Sequence, residues 1–369
     1  MHHILHDLEM DLNDKQILFI KQSSLGDIVH ALPVAHALKR CFPGCRLGWI
    51  VERGLETILE RDRSIERIHP IHIPSTSEPG ARWPVYCKAL AATVGALKYL
   101  RSDFLLQPYD VILDLHASFR SGLFALMNPG GLRVGFGDAR ELNTLFQHRV
   151  LAVASRSMHA VEKNLLFCSF LRCAPQKEDF YLTTSQADEQ QAGEFLSTSG
   201  IGPEQRFVYV NPAARWQSKF WIAARWSALC DRLEADGVRT VFGGGPGDLA
   251  HIQPIVDCMA RKACIAAGRL NLPASIALMK KAAAYVGVDT GPMHIAAMVG
   301  TPVASLFGPT HPERVGPYGV RHAVIRADGL DCLCCRKREC GHQRCMEGIT
   351  VDMVHDRVMA LIGESVTPR

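Results

Sequence analysis

A chain of 369 residues is longer than one core comfortably fills, so two domains are expected. With 47% hydrophobic and 21% charged residues it suits a globular fold and excludes a disordered or fibrous one. The net charge of +4 is too weak to imply nucleic acid without a recognisable motif, and no apolar run nears the ~18 residues of a membrane span.

The N-terminus, MHHILHDLEMDLND, carries acids and lacks the basic-then-apolar layout of a signal peptide, so the cytoplasm is the expected compartment. The first β-rich run, Ile17–Ile20, gives way to KQSSLGDIVH. Two readings of this loop compete. Ser23, Ser24 or Asp27 could cap a helix beginning near Ile28. Alternatively the loop is part of a site, because open α/β sheets build their sites on loops leaving the carboxyl ends of parallel strands.

Further strands are expected at Leu47–Val51, Val111–Leu115 and Leu132–Gly135, alternating with helical Ile28–Cys41, Cys87–Leu100 and Met158–Cys173. That order implies parallel sheets wrapped by helices. His116 and Arg120 follow the strand Val111–Leu115, where they could meet an acidic acceptor, while Asp114 reads as a strand-end cap. Trp83, Tyr86, Lys88 and Lys98 lie on an apolar helical stretch that suits either a membrane surface or, as such stripes usually do, the core.

A polar, strand-poor stretch, Gln176–Gln205, separates the halves, and the pattern restarts. Strands are expected at Phe207–Val210, Thr240–Phe242, Ala284–Val288 and Val303–Phe307. Helices are expected at Trp221–Glu234, Leu272–Lys281, Met293–Val299 and around Asp352–Ile362. The turn after the strand Ala284–Val288, Asp289-Thr290-Gly291-Pro292, offers free N–H groups and the positive end of a helix, a setting for a diphosphate or simply a capped helix start. Upstream, NPAARWQSKFW places Arg215 and Lys219 beside two indoles, able to neutralise phosphate oxygens or to staple the following helix. The loop GGGPGD is neither a dinucleotide fingerprint nor a P-loop; its glycines let backbone approach a nucleotide, with Asp248 left to accept from ribose hydroxyls.

Together KQSSLGDIVHALP, NPAARWQSKFW, GGGPGD and VGVDTGPMHIAAMVGTPVASLFGPTHPERVGPYG resemble the ADP-heptose:lipopolysaccharide heptosyltransferases, glycosyltransferase family 9. The resemblance implies an α/β chain of GT-B fold, two Rossmann-like doubly wound domains facing a central cleft. It implies an acceptor-binding domain over 1–185, a nucleotide-sugar domain with a Cys-rich tail over 186–349, and a junction helix over 350–369. Asp27 then matches the general base of an inverting transfer of L-glycero-D-manno-heptose from ADP-heptose to the lipopolysaccharide inner core. Arg215, Lys219, Asp248, Asp289, Thr290, Gly291 and His294 match the donor site; Ser24, His116 and Arg120 are assigned to a lipid-linked oligosaccharide acceptor, met at the inner face of the inner membrane. No cofactor is expected for catalysis; the need for a divalent ion is left open, since the chain lacks an Asp-x-Asp motif and Lys219 with Arg215 could neutralise the diphosphate without metal. The alternatives are another nucleotide-sugar enzyme on the same scaffold, such as an epimerase, or a non-catalytic sugar-nucleotide-binding protein.

Thirteen cysteines complete the pattern. Eight are scattered, Cys41, Cys45, Cys87, Cys168, Cys173, Cys230, Cys258 and Cys264, and read as reduced core residues. The other five crowd the tail, where Cys332, Cys335, Cys340 and Cys345 fit a structural metal loosely, as a brace for the last helix.

Overall fold

The computed structural model describes residues 11–76, 83–261 and 263–363; most of the stretch behind the signal-peptide reading, 1–10, lies outside them. The chain divides into two compact units. Ser24–Val29 and Ser157–Ala160 group with the second unit, which otherwise begins at Phe180, a few residues before the boundary expected at 185.

The first unit holds β1 (Gln16–Ile20), β2 (Arg46–Glu52), β3 (Ile65–Ile71), β4 (Val111–Asp114), β5 (Leu132–Phe136) and β6 (Arg149–Leu151). Its helices are α1 (Leu25–Cys41, whose first turn groups with the other unit), α2 (Trp83–Leu106), α3 (Phe119–Leu126) and α4 (Ala160–Phe170). All strand pairs are parallel, in the order β3-β2-β1-β4-β5-β6. Burial on both faces explains the continuous apolar runs: Ile17 to Ile20 and Val111 to Leu113 are wholly or almost wholly enclosed.

The second unit holds β7 (Phe207–Asn211), β8 (Arg239–Phe242), β9 (Cys264–Ile265), β10 (Ala284–Val288), β11 (Val303–Leu306) and β12 (His322–Ile325). Its helices are α5 (Gln186–Thr198), α6 (Ala223–Ala235), α7 (Leu249–Asp257), α8 (Leu272–Lys281), α9 (Gly291–Met298), α10 (Pro312–Val315), α11 (Arg344–Glu347) and α12 (Val351–Gly363). The order β12-β11-β10-β7-β8-β9 is the same winding, with β7 and β10 taking the places of β1 and β4. Each sheet therefore reverses direction at one pair, β1/β4 or β7/β10, and the loops leaving that pair form the ligand crevice of a doubly wound sheet.

Three expectations need correction. The stretch 176–205 is not a bare linker: α5 fills much of it, started by a capping box between Ser185 and Asp188 and packed on α8. Cys41 and Cys173 are not reduced core residues but a disulfide, formed where the end of α1 lies beside the turn after α4, with Cα atoms 6.0 Å apart. Cys87 and Cys258 are exposed. As for the tail, α12 packs on α6 and on its own unit's sheet, burying Val354, Val358 and Leu361 in that core; residues 364–369 lie outside the described chain.

Candidate functional site

α1 begins at Leu25, three residues earlier than expected, so Asp27 sits in its first turn. Its Oδ2 accepts from the Ser24 backbone N–H at 2.9 Å and from the Ser24 hydroxyl at 2.8 Å. That is half of a capping box, so the capping reading of this loop holds. The same turn also has a second neighbour. A Cβ on Gly26 would stand 2.4 Å from Cδ2 of His294, and one on Gly291 would stand 3.0 Å from Leu25. The first turns of α1 and α9 thus pack backbone to side chain, and only glycine fits at Gly26.

His294 is buried in this packing. Burial pushes its imidazole down to about 3, Asp27 pulls the other way, and Lys219 and His159 push it further down. The imidazole is therefore neutral at pH 7. It lies 3.9 Å from Asp289, whose Oδ2 receives Lys219 Nζ at 2.8 Å. The same ammonium donates to the Asp289 carbonyl at 2.7 Å. Pro292 stands at the start of α9, and Thr290, at its N-cap, donates instead to Asn211 Oδ1 at 3.3 Å. The Thr290 side chain is thus not the cap acceptor of α9.

The 3-10 turn Gln217–Lys219 is held from the tail. Ser218 donates its N–H to the Arg338 carbonyl at 3.1 Å and its hydroxyl to the Lys337 carbonyl at 2.6 Å. The two indoles of this loop divide the readings between them. Trp221 is buried, edge-on to Trp226, and donates to the Ile349 carbonyl at 3.0 Å, a staple. Trp216 instead faces two cations, Lys219 Nζ at 4.7 Å and the Arg338 guanidinium at 5.6 Å. Arg215 is exposed on the same loop and has no ion-pair partner among the described residues.

Asp248 caps its own loop, accepting from the Gly245 N–H at 2.8 Å beside Gly244, whose φ of 150° suits glycine. Asn211 ties that loop to β7 by donating to the Gly243 carbonyl at 3.1 Å. Around β7 and β10, then, stand Lys219, Asp289, Thr290, Gly291 and His294, with Asp27 brought in by α1. Sequence reasoning missed Gly26, Asn211, His159 and Arg338. The first two lie inside the motifs it had quoted; the last two depend on folding alone.

The first unit's switch point differs. Asp114 is wholly buried and accepts from the N–H groups of His116 and Ala117 and from Ser121, Asn143 and Gln147 side chains. The strand-end-cap reading of Asp114 is thereby met. His116 and Arg120 are half-buried beyond it.

In the tail, Cys345 is buried against Gly308, and burial pushes its thiol up, helped by Cys332, Cys335 and Cys340 nearby. Backbone N–H groups of His342 and Gln343 pull the Cys340 thiol down. Among the described residues no group of three or more His, Cys, Asp or Glu side chains is arranged to hold a metal ion. The carbonyls of the same tail hold the Lys219 turn, so it braces that turn as well as leading into α12.

Residues 99–346 match the profile of glycosyltransferase family 9 (heptosyltransferase). The chain is 30% identical over 338 residues to lipopolysaccharide heptosyltransferase 1 of Pseudomonas aeruginosa, covering 89% of this chain and 88% of that one. It is 26% identical to lipopolysaccharide heptosyltransferase 1 of Escherichia coli K12, over 85% and 93% of the two chains. Among solved structures it is similar to a glycosyl transferase family 9 protein from Veillonella parvula, with TM-score 0.80, 21% identity and coverage of 96% and 99%. It is also similar to the E. coli heptosyltransferase WaaC with ADP, with TM-score 0.70, 24% identity and coverage of 94% and 99%.

Proposed function

The chain belongs to glycosyltransferase family 9, the heptosyltransferases, and on that premise we propose that it transfers L-glycero-D-manno-heptose from ADP-heptose to the lipopolysaccharide inner core, with Asp27 as general base. What carries the reading is the packing of the α1 turn on the α9 turn, because it sets a carboxylate beside the cationic diphosphate setting of the second unit. Lys219, Arg215 and the first N–H groups of α9 would neutralise the diphosphate as it leaves. The acceptor hydroxyl attacks the anomeric carbon, its proton passes to the Asp27 carboxylate, and the bond to the diphosphate breaks on the opposite face, so the configuration inverts. His294, held neutral by burial, adds no second charge at this carboxylate and acts through its hydrogen-bonding nitrogens.

The test uses Asp27→Asn, which keeps an amide oxygen able to cap Ser24. Turnover of ADP-heptose with a core acceptor should fall about 10²–10⁴-fold while donor binding by calorimetry persists. Unchanged turnover removes Asp27 as the base. Consumption of UDP-sugars with no activity on ADP-heptose overturns the donor assignment.

A further inference from the structure

The apolar stretch that sequence reasoning inclined to the core is, in the folded chain, only half inside it. α2 buries Ala89, Thr93, Ala96, Leu100 and Phe104 along one side. The side opposite is open over the whole length of the helix. Trp83 is 78% exposed, Leu90 68% and Leu105 55%, and Tyr86 and Val94 are exposed with them. The spacing 83, 86, 90, 94 and, a turn beyond Lys98 and Arg101, 105 puts these side chains on one stripe. Leaving such residues in water-facing positions has no folding benefit, and a run of large apolar groups on a single face marks an interaction surface.

The charges on the helix choose the partner. Lys88, Lys98 and Arg101 are all exposed, and the one acid of α2, Asp103, is turned to Arg67 and His69 at 3.0 Å each. The open face is therefore apolar and cationic, with no acid of its own helix left facing outward. A tryptophan at one end, leucines along the stripe and basic residues among them are the features of a helix that lies in a lipid interface. Nothing in α2 is long and apolar enough to cross a membrane among the described residues.

We propose that this face of α2 docks the protein on an anionic lipid surface, with Trp83, Leu90 and Leu105 entering the headgroup region and Lys88, Lys98 and Arg101 meeting lipid phosphates. Such a surface is also where a lipid-linked acceptor would lie. The proposal rests on the reading of the reaction for that purpose, though not for its test.

The test is co-sedimentation of the full chain with vesicles of mixed phosphatidylglycerol and phosphatidylcholine, without donor or acceptor. Binding should exceed that to pure phosphatidylcholine and weaken as salt rises from 0.1 to 1 M, where screening shortens from about 10 to about 3 Å. Lys88→Gln/Lys98→Gln/Arg101→Gln should lower the partition coefficient about 100-fold, at roughly fivefold per basic residue, and Leu90→Glu roughly tenfold. Trp83 fluorescence should shift to the blue on binding and be quenched by brominated lipid. Leu90→Ser replaces Leu90→Glu if the latter fails to fold. Equal binding to neutral vesicles, or full binding by the triple variant, overturns the proposal. So does a concentration-dependent dimer that Leu90→Glu dissolves without any vesicle binding, which would assign the face to a second copy of the chain. Transfer to a delipidated, soluble acceptor should stay at the wild-type level in both variants. Its absence in the wild type itself would count against the reaction, not against the docking face.

Discussion

The two units share one winding and place an aspartate at the same point of it, yet the two aspartates have different surroundings. Asp114 ends β4 and is met by five protein donors, with no cation among them; burial pushes its carboxyl up. Asp289 follows β10 and is met by the Lys219 ammonium, beside a helix start and a neutral imidazole. In the first unit the loop after the strand folds back on its own aspartate, and four residues pass before α3 begins. In the second, only Asp289 and Thr290 separate strand from helix, so the N–H groups of α9 stay near the switch point. A shared topology marks where a site belongs; the length and chemistry of the loop decide whether one is built there.

The largest effect that could break this comparison is on stability. Asp114→Ala strands several buried donors, each worth about 1–3 kcal/mol when unsatisfied, so unfolding in urea should show a loss of about 3 kcal/mol or more. Donor affinity, measured by calorimetry on the folded variant, should be little changed. If Asp114→Ala instead left stability intact and removed donor binding, the two aspartates would have the same role.

Lys219→Gln sharpens the other side. The amide still donates to Asp289, but the positive charge is gone, and loss of a charge-assisted contact should weaken donor binding roughly 10–100-fold. Its cost in stability should be smaller than that of Asp114→Ala. An affinity within twofold of wild type would show that the diphosphate is held elsewhere.

A third effect is in pH dependence. His294 is depressed to about 3 by burial, against an ordinary value near 6.5. Between those values the unfolded chain binds a proton that the native site refuses, so this contribution to stability is complete above pH 6.5 and declines as the pH falls towards 3. The slope is on the order of 1 kcal/mol per pH unit. His69, depressed to about 4 in the first unit, acts in the same direction. His294→Gln should flatten the acid limb of a urea-midpoint profile in part, leaving the share of His69. An unaltered profile would mean that His294 is protonated in the native protein.

Much of this could be read from the residues. The expected strands at 17–20, 47–51, 111–115, 132–135, 207–210, 240–242, 284–288 and 303–307 all exist with small changes of boundary. The four that sequence reasoning passed over, β3, β6, β9 and β12, are the four sheet edges. Their burial explains the omission: β10 is enclosed at every position, whereas β6 is exposed at Arg149 and Val150 and β12 is open at its start. An interior parallel strand needs an unbroken apolar run and announces itself; an edge strand tolerates Arg, His and Pro and does not.

The same division runs through the site. Local chemistry determines the capping pair Ser24–Asp27 and the helix start at Gly291-Pro292, because each is settled within four residues of chain. Tertiary structure alone decided that Lys219 pairs with Asp289, 70 residues away, and that Cys41 joins Cys173 across 132. It also decided that α2 keeps its apolar stripe outside. A stripe of leucines reads the same whether or not another element covers it, and what covers it is chosen by distant parts of the chain.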